Sequence, residues 1–418
     1  MNTIVFPGLY KGKICVPPSK SISQRALLLS ALAKGKSTIF PIGNSADEQT
    51  LLSAIQKMGA NVIKLDDQKY EVEGINNFAS IDSIEIQESA LSFRLLLPCL
   101  ALFEGKNRIE AKGTLQKRPM EFYQQILPFF GVKIIPFSEE NSFEIRGPLK
   151  GCEITIDASQ SSQFLSGLLI SLCFAKENSL LHVPKLNSKP YIDLTIDVMK
   201  SFGLEIENTN LHTFSIRGKQ KAEHTNYFIE SDWSSASFFI IAAALGQDIH
   251  LYGLNKNSKQ ADKKIIEVLE QSNCHFLWEK EYLKIDGKSR KNLNFDCSDC
   301  PDLIPILSVC AAFTLGLSKL KGAHRLIHKE SNRLTALIDE WKKLDINVYL
   351  SENDELCIEG KKEINGGVEI NSYHDHRIAM SFAIAGMFTQ DPIKINHSES
   401  VNKSFPNFWD ELDKLKKN

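Results

Sequence analysis

Polar and charged side chains gather just ahead of long apolar runs in this 418-residue chain, and the chemistry they offer is anion binding. Lys20, Ser21 and Arg25 lead into the apolar residues 26–32. Ser21 and Arg25 are four apart and so share a helix face. A helix start presents unbonded N–H groups and the positive end of the backbone dipole. Lys, Ser and Arg added there make a seat for phosphate or carboxylate, although the same residues also suit a plainly capped helix with solvated charges. Ser159, Gln160, Ser161, Ser162 and Gln163 precede another run, at 164–172, and exceed what one N-cap needs. Ser188 and Lys189 then lead to Pro190 and Tyr191, with Pro190 suited to a first helical position.

Further along, Asp302 opens an apolar run, and Lys329, Glu330 and Arg333 follow. Lys329 and Arg333, four apart, also fit a surface charge stripe. His374, Asp375, His376 and Arg377 stand directly before residues 378–388. Four such residues capping a buried helix are costly unless they have partners. No HExxH spacing or matching carboxylate motif supports His374 and His376 as a metal pair. Lys403 precedes Ser404, Phe405 and Pro406 at one more helix start.

The elements that must position these residues follow a loose repeat of about 70 residues. Apolar runs begin near Ser21, Ser92, Ser162, Ser235, Leu303 and Arg377. Apolar over most of their circumference, they predict buried helices. A short strand-like segment follows each run. A more amphipathic second helix then begins near Asp47, Arg118, Tyr191, Asp262, Ser331 and Asn407. Gly59, Gly131 and Gly203 are placed as C-caps before a return to strand. Two domains of three units each is the natural partition, with buried helices inside and sheets outside. An ordinary doubly wound α/β sheet is the competing arrangement.

Composition narrows the class. Apolar residues are 43% and charged residues 24%, which is ordinary for a globular protein. A net charge of −2 argues against a nucleic-acid partner, so attraction for anions must come from local clusters. No apolar stretch is long enough to span a bilayer and no signal peptide is evident, so neither a membrane partner nor export is expected. Nine scattered cysteines without a disulfide framework fit a reducing cytoplasm. Cys297 and Cys300 form a lone CxxC and are read as structural or incidental.

The blocks KSISQRALLLSAL, SSQFLSGLL, SKPYID, SDWSSASFF, KESNRL, YHDHRIAM and NKSFPNF, from residue 20 to residue 409, resemble those of EPSP synthases, in the same order. The resemblance implies a two-domain inside-out α/β barrel of six βαβαββ-type repeats, three per domain. It implies one domain of residues 1–18 plus 229–418, including the first strand, another of residues 19–228, and an active site in the cleft between them. It implies a monomer that takes two small molecules, shikimate 3-phosphate and phosphoenolpyruvate, with no metal or organic cofactor. Lys20, Ser21, Arg25, Ser161, Ser162, Gln163, Ser188, Tyr191, Asp302 and Lys329 would bind shikimate 3-phosphate. Lys20, Ala90, Arg118, Gln163, Arg333, Arg377 and Lys403 would surround phosphoenolpyruvate. Asp302, Lys329, Glu330 and Lys20 match the catalytic positions. The substrates together carry roughly −5 to −6 charges near neutral pH, which the Lys and Arg residues named here would balance.

The chain also departs from the family pattern. Where an Asn-Ala-Gly-Thr-Ala-x-Arg block is usual, it has Glu88-Ser89-Ala90-Leu91-Ser92-Phe93-Arg94. The methyl of Ala90 would narrow the phosphate end of the phosphoenolpyruvate site and weaken inhibition by the longer glyphosate. The segment before Arg118 is short, His374 stands where Asn is common, and Arg325 replaces a neutral residue. A cell-wall enolpyruvyl transferase for UDP-N-acetylglucosamine fits less well, since Ser21 follows Lys20 and residues 104–125 contain no Cys. A non-catalytic ligand-binding module is disfavoured by Asp302, Lys329 and Glu330 together. An RNA-end-processing enzyme would need a basic surface and a catalytic His that are not evident.

Overall fold

The computed structural model describes residues 1–137, 140–286 and 291–416. They divide into two compact units: Pro18–Ile229, and Met1–Pro17 joined with Glu230–Asn418.

The Pro18–Ile229 unit contains α1 (Lys20–Leu32), α2 (Ala46–Lys57), α3 (Ala90–Cys99), α4 (Glu121–Ile126), α5 (Ser162–Leu172) and α6 (Pro190–Ser201). The apolar runs became α1, α3 and α5. α3 is buried along its whole length, and α5 is buried apart from Gln163. α1 packs on α3 and α3 on α5, so this trio forms the unit's interior. The sheets cover it with one face each. In Asn107–Ala111, residues 107, 109 and 111 point inward and Arg108 points outward, the period-two signature of a half-solvated sheet.

One connection pattern recurs. Ile84–Ile86 pairs in parallel with Asn107–Ala111 across α3, because parallel neighbours need a crossover and the helix supplies it. Ser142–Arg146 then pairs antiparallel with Asn107–Ala111 and with Lys133–Pro136. Asn226–Phe228, at the far end of the segment, supplies the parallel strand for Lys36–Phe40.

The other unit contains α7 (Trp233–Ala244), α8 (Ile265–Gln271), α9 (Ile304–Ala312), α10 (Arg333–Lys343), α11 (His376–Gly386) and α12 (Phe408–Leu415). α7, α9 and α11 pack on one another as the buried trio. The chain's beginning completes two of its sheets. Lys11–Cys15 lies parallel to Asp248–Tyr252, and Asn2–Val5 lies antiparallel to Ile393–Asn396. Among the described residues there are five four-stranded sheets and one three-stranded sheet. This is the inside-out α/β class expected from the repeat. The doubly wound alternative fails because each sheet is small and mixed.

One repeat departs from the expected pattern. A second helix was expected near Arg118. The chain instead makes a 3₁₀ turn at Gly113–Lys117, leaves Arg118 extended, and resumes in the short α4. Pro119 explains this, since it disfavours helical backbone in the residue before it.

Candidate active site

In the Pro18–Ile229 unit the starts of the buried helices are tied together by side chains. Gln24 of α1 accepts from Ser92 Oγ (2.9 Å) and Ser89 Oγ (3.3 Å), and Ser89 is the N-cap of α3. Arg94 of α3 donates to Gln163 Oε1 (2.9 Å) and to Ser161 Oγ (3.4 Å), the N-cap of α5. It also donates to the Pro119 carbonyl (3.3 Å) and lies over the Phe164 ring. Arg25 is buried; Nε donates to Thr195 Oγ1 and Nη1 to the Ser21 carbonyl, both at 2.7 Å. Burial pushes its guanidinium down to about 10, so it stays charged at neutral pH.

Lys20, the first residue of α1, pairs with Asp47 near the start of α2 (2.8 Å). Arg118 is buried, and Asn141 holds its turn by donating Nδ2 to the carbonyls of Leu115, Gln116 and Arg118. Ala90 is the first residue of α3 and is buried. Ser162 is the buried first residue of α5. Ser188 is also buried and sits in the left-handed region with φ 54°, a conformation a β-carbon disfavours. The Tyr191 amide bonds its carbonyl (3.1 Å), which turns the chain into α6.

In the other unit Arg377 joins three helix starts. From the first turn of α11 its Nη2 donates to Ser234 Oγ at the start of α7, and Nη1 donates to the Asp302 carbonyl (2.9 Å) ahead of α9. Its Nη2 also lies 3.5 Å from Asp302 Oδ2 and 4.0 Å from Asp262 Oδ2. Asp262 is fully buried, and that burial pushes its carboxyl up to about 6 against the pull of Arg377.

Arg333 is encased, with a side chain 1% exposed. Nε donates to Asp375 Oδ2 (2.7 Å), Nη1 to Asp302 Oδ1 (2.9 Å), and Nη2 to Glu330 Oε2 (2.5 Å) and Asp375 Oδ1 (3.2 Å). Burial opposes the charge of Arg333, yet Asp375, Glu330 and Asp302 hold it more firmly protonated than usual. Asp375 caps α11 through the Arg377 amide (2.9 Å), so one buried carboxylate fixes both the helix start and the guanidinium. Lys329 donates to Asp302 Oδ1 (2.9 Å), and Lys403 lies 4.0 Å from Glu330 Oε1. Burial lowers the affinity of Lys329 for its proton, with Asp302 opposing. Burial also works against the Asp302 charge, but Arg377, Lys329 and Arg333 hold its carboxyl well below the usual range.

Most groups expected at a helix start lie at or beside one; Lys403 instead ends a 3₁₀ turn over Ser398–Lys403, ahead of α12, and Arg118 lies in the extended link before α4. Lys20, Ser21, Arg25, Ala90, Arg118, Ser161, Ser162, Gln163, Ser188 and Tyr191 belong to one unit. Asp302, Lys329, Glu330, Arg333, Arg377 and Lys403 belong to the other. Sequence reasoning assigned no role to Arg94, which welds α3 to the start of α5, nor to Asp262; it placed Asp375 among the residues capping α11, which it is, but not as the partner of Arg333. Carboxylates also stand beside the cations: Asp47 beside Lys20, Asp375 beside Arg333 and Asp262 beside Arg377. The signal for Arg94 and Asp375 was present, since Asp375 lies inside the block YHDHRIAM and Arg94 ends the segment Glu88–Arg94. His374 and His376 part company: His376 is buried in the first turn of α11, whereas the His374 ring stacks near His397. Cys297 and Cys300 are buried and unbridged. The hydrogen bond of the Cys300 thiol to Cys297, then burial, pushes the Cys300 thiol well up, which leaves it unreactive.

A family model described as EPSP synthase (3-phosphoshikimate 1-carboxyvinyltransferase) matches residues 7–412. A Clostridium botulinum protein named 3-phosphoshikimate 1-carboxyvinyltransferase is 36% identical, with 98% of this chain and 96% of that one covered. A Clostridium beijerinckii protein of the same name is 37% identical over 99% and 97%. A solved structure of EPSP synthase from Acinetobacter baumannii superposes with a TM-score of 0.81 at 28% identity, covering 99% and 98%. With that coverage and the helix-start clusters together, the chain belongs to the EPSP synthase family.

Proposed function

We propose that this chain transfers the enolpyruvyl group of phosphoenolpyruvate to the 5-hydroxyl of shikimate 3-phosphate, releasing phosphate, and that both residue clusters serve this one reaction. The observation that carries the reading is the Asp302–Lys329–Arg333–Glu330 cluster, in which proton-handling groups are held beside cations. Shikimate 3-phosphate is taken by Lys20, Ser21, Arg25, Ser161, Ser162, Gln163, Ser188 and Tyr191, together with Asp302 and Lys329. Phosphoenolpyruvate is taken by Lys20, Arg118, Gln163, Arg333, Arg377 and Lys403, with Ala90 alongside. Arg94 acts by positioning Gln163 and Ser161.

The 5-hydroxyl oxygen attacks C2 of phosphoenolpyruvate while C3 gains a proton. The tetrahedral adduct then loses phosphate and a C3 proton. Asp302 is hemmed in by cations and keeps its charge, which makes it a poor proton acceptor but a good anchor for Lys329. Lys329, eased toward neutrality by burial, is the better carrier of the hydroxyl proton. Glu330 delivers the proton to C3. Arginine and lysine groups balance the charge of the departing phosphate. Arg333 is already saturated by Asp302, Glu330 and Asp375, so a substrate carboxylate must exchange with one of the first two. The chain works as a monomer in the cytoplasm.

Mixing the protein with both substrates and measuring phosphate release tests the reading. Release that requires shikimate 3-phosphate is expected; none with active-site integrity intact would end it. Lys329→Met and Glu330→Gln should each lower turnover by roughly 100-fold or more. Near-normal turnover in both would defeat the role assignment.

A further inference from the structure

The turn leading into α11 and the turn following strand Ile393–Asn396 bring together a set of metal-ligating atoms that the reaction does not use. His374, His397 and Glu399 each offer one ligand atom, and these lie within 4.8 Å of one another. Among the described residues they are the one such group of three. The two imidazole rings are 3.9 Å apart between centroids, and His397 Nδ1 is 3.9 Å from Glu399 Oε1. The side chains of His397 and Glu399 are each a little under half exposed, so an ion can reach them from solvent.

The backbone beneath these side chains is fixed. His374 and His397 both adopt left-handed conformations, with φ 56° and 53°. Non-glycine residues hold such angles only where the surroundings impose them. On one side, the Tyr373 amide donates to Asn371 Oδ1 (2.9 Å), and the Tyr373 hydroxyl donates to Glu340 Oε1 (3.0 Å). The Asp375 amide donates to the Ser372 carbonyl (2.9 Å). On the other side, Ser372 Oγ donates to the His397 carbonyl, and Trp409 Nε1 donates to the Ser398 carbonyl (2.9 Å). Glu399 also takes the Met1 amino group on Oε2 at 2.8 Å, with Oε1 toward His397.

We propose that His374, His397 and Glu399 form a binding site for a divalent transition-metal ion of the zinc class. Two imidazoles and one carboxylate are a borderline donor set that suits Zn²⁺ or Co²⁺ and disfavours Ca²⁺ and Mg²⁺. Bond lengths of about 2.0–2.2 Å require ligand atoms roughly 3.3 Å apart in a tetrahedron. From the present spacing, binding draws the three side chains closer together. The fourth position is left to water. The bound ion cross-links the turn that carries Asp375, the partner of Arg333, to the segment that runs on to Lys403. It has no part in the transfer chemistry.

Titration of the chelator-treated full chain with ZnCl₂, followed by calorimetry, tests this. One equivalent should bind, and Co²⁺ should give the visible absorption of a four-coordinate site. Zn²⁺ should also raise the melting temperature, because it binds the folded state. His374→Asn and His397→Asn should each weaken binding by about tenfold or more, since losing even an outer-shell partner costs about that much. Both variants should keep the ion-free melting temperature and circular dichroism of the parent; Glu399→Gln serves where either does not. Binding of Zn²⁺ by the His374→Asn/His397→Asn double variant as tight as by the parent overturns the proposal, as does a parent that binds no equivalent.

Discussion

At the scale of single residues, the site is governed by carboxylates placed behind cations. Asp262 is the sharpest case, buried against Arg377 with its carboxyl pushed up to about 6 by desolvation. A carboxyl near 3.8 in the unfolded chain and near 6 in the native one makes the native state bind the extra proton. Its stabilising contribution is therefore complete below about pH 4 and lost as pH rises through about 6. Asp262→Asn should remove that slope, so the stability gap between variant and parent should shift in the variant's favour from pH 4 to pH 7. Denaturant melts at several pH values measure it, and parallel profiles would refute it. Ala90 makes a second prediction at this scale. It opens α3 with its side chain buried, and Ala90→Gly should tighten inhibition by glyphosate roughly tenfold or more, the worth of one methyl group in a close-fitting site. An unchanged inhibition constant would separate Ala90 from the phosphoenolpyruvate site. The residue types at helix starts were legible because Lys20, Arg25, Lys329 and Arg377 flank runs whose periodicity is plain. Asp262 was not, because nothing in a linear sequence announces that an acid before a second helix will face an arginine more than a hundred positions on.

At the scale of elements, each buried helix works only because its neighbours approach it closely. A β-carbon on Gly167 of α5 would lie 2.2 Å from the Arg94 carbonyl and 2.5 Å from the Tyr123 hydroxyl. That hydroxyl bridges the two helices through the carbonyls of Arg94 (2.5 Å) and Phe164 (3.0 Å). Gly167→Ala must therefore push α3 from α5. It should cost about 1–3 kcal/mol of stability and loosen the Arg94–Gln163 bond, lowering turnover as well. Thermal melts and phosphate release read the two effects, and a variant of parental stability would show that the gap can widen at no cost. The six buried helices were legible from apolar runs of the right length, and Gly59, Gly131 and Gly203 from their places before a return to strand; all three have positive φ. The break at Arg118 was not read because it turns on one residue, Pro119, which keeps Arg118 extended. The carbonyl-to-hydroxyl contacts that demand Gly167 arise between helices, and no local pattern carries them.

At the scale of the whole molecule, the chain's two ends share one unit. Asn2–Val5 and Lys11–Cys15 complete sheets whose other strands all come after Glu230. Deleting residues 1–16 removes an edge from two sheets and exposes the buried Val5 and Ile14 contacts. Limited proteolysis of that deletion should degrade residues 230–418 while a fragment of residues 18–229 persists. Loss of both at the same protease concentration would contradict it. The sixfold rhythm was legible in sequence, but which strand closes which sheet was not, because partners so far apart leave no local mark. The pairing of Lys11–Cys15 with Asp248–Tyr252 also bears on synthesis. On the ribosome, the opening strand must wait while the whole intervening unit emerges and folds. The unit carrying Lys329 and Lys403 closes its sheets only after residues 393–396 have emerged, so a nascent chain abandoned earlier leaves Asn2–Val5 without its partner strand.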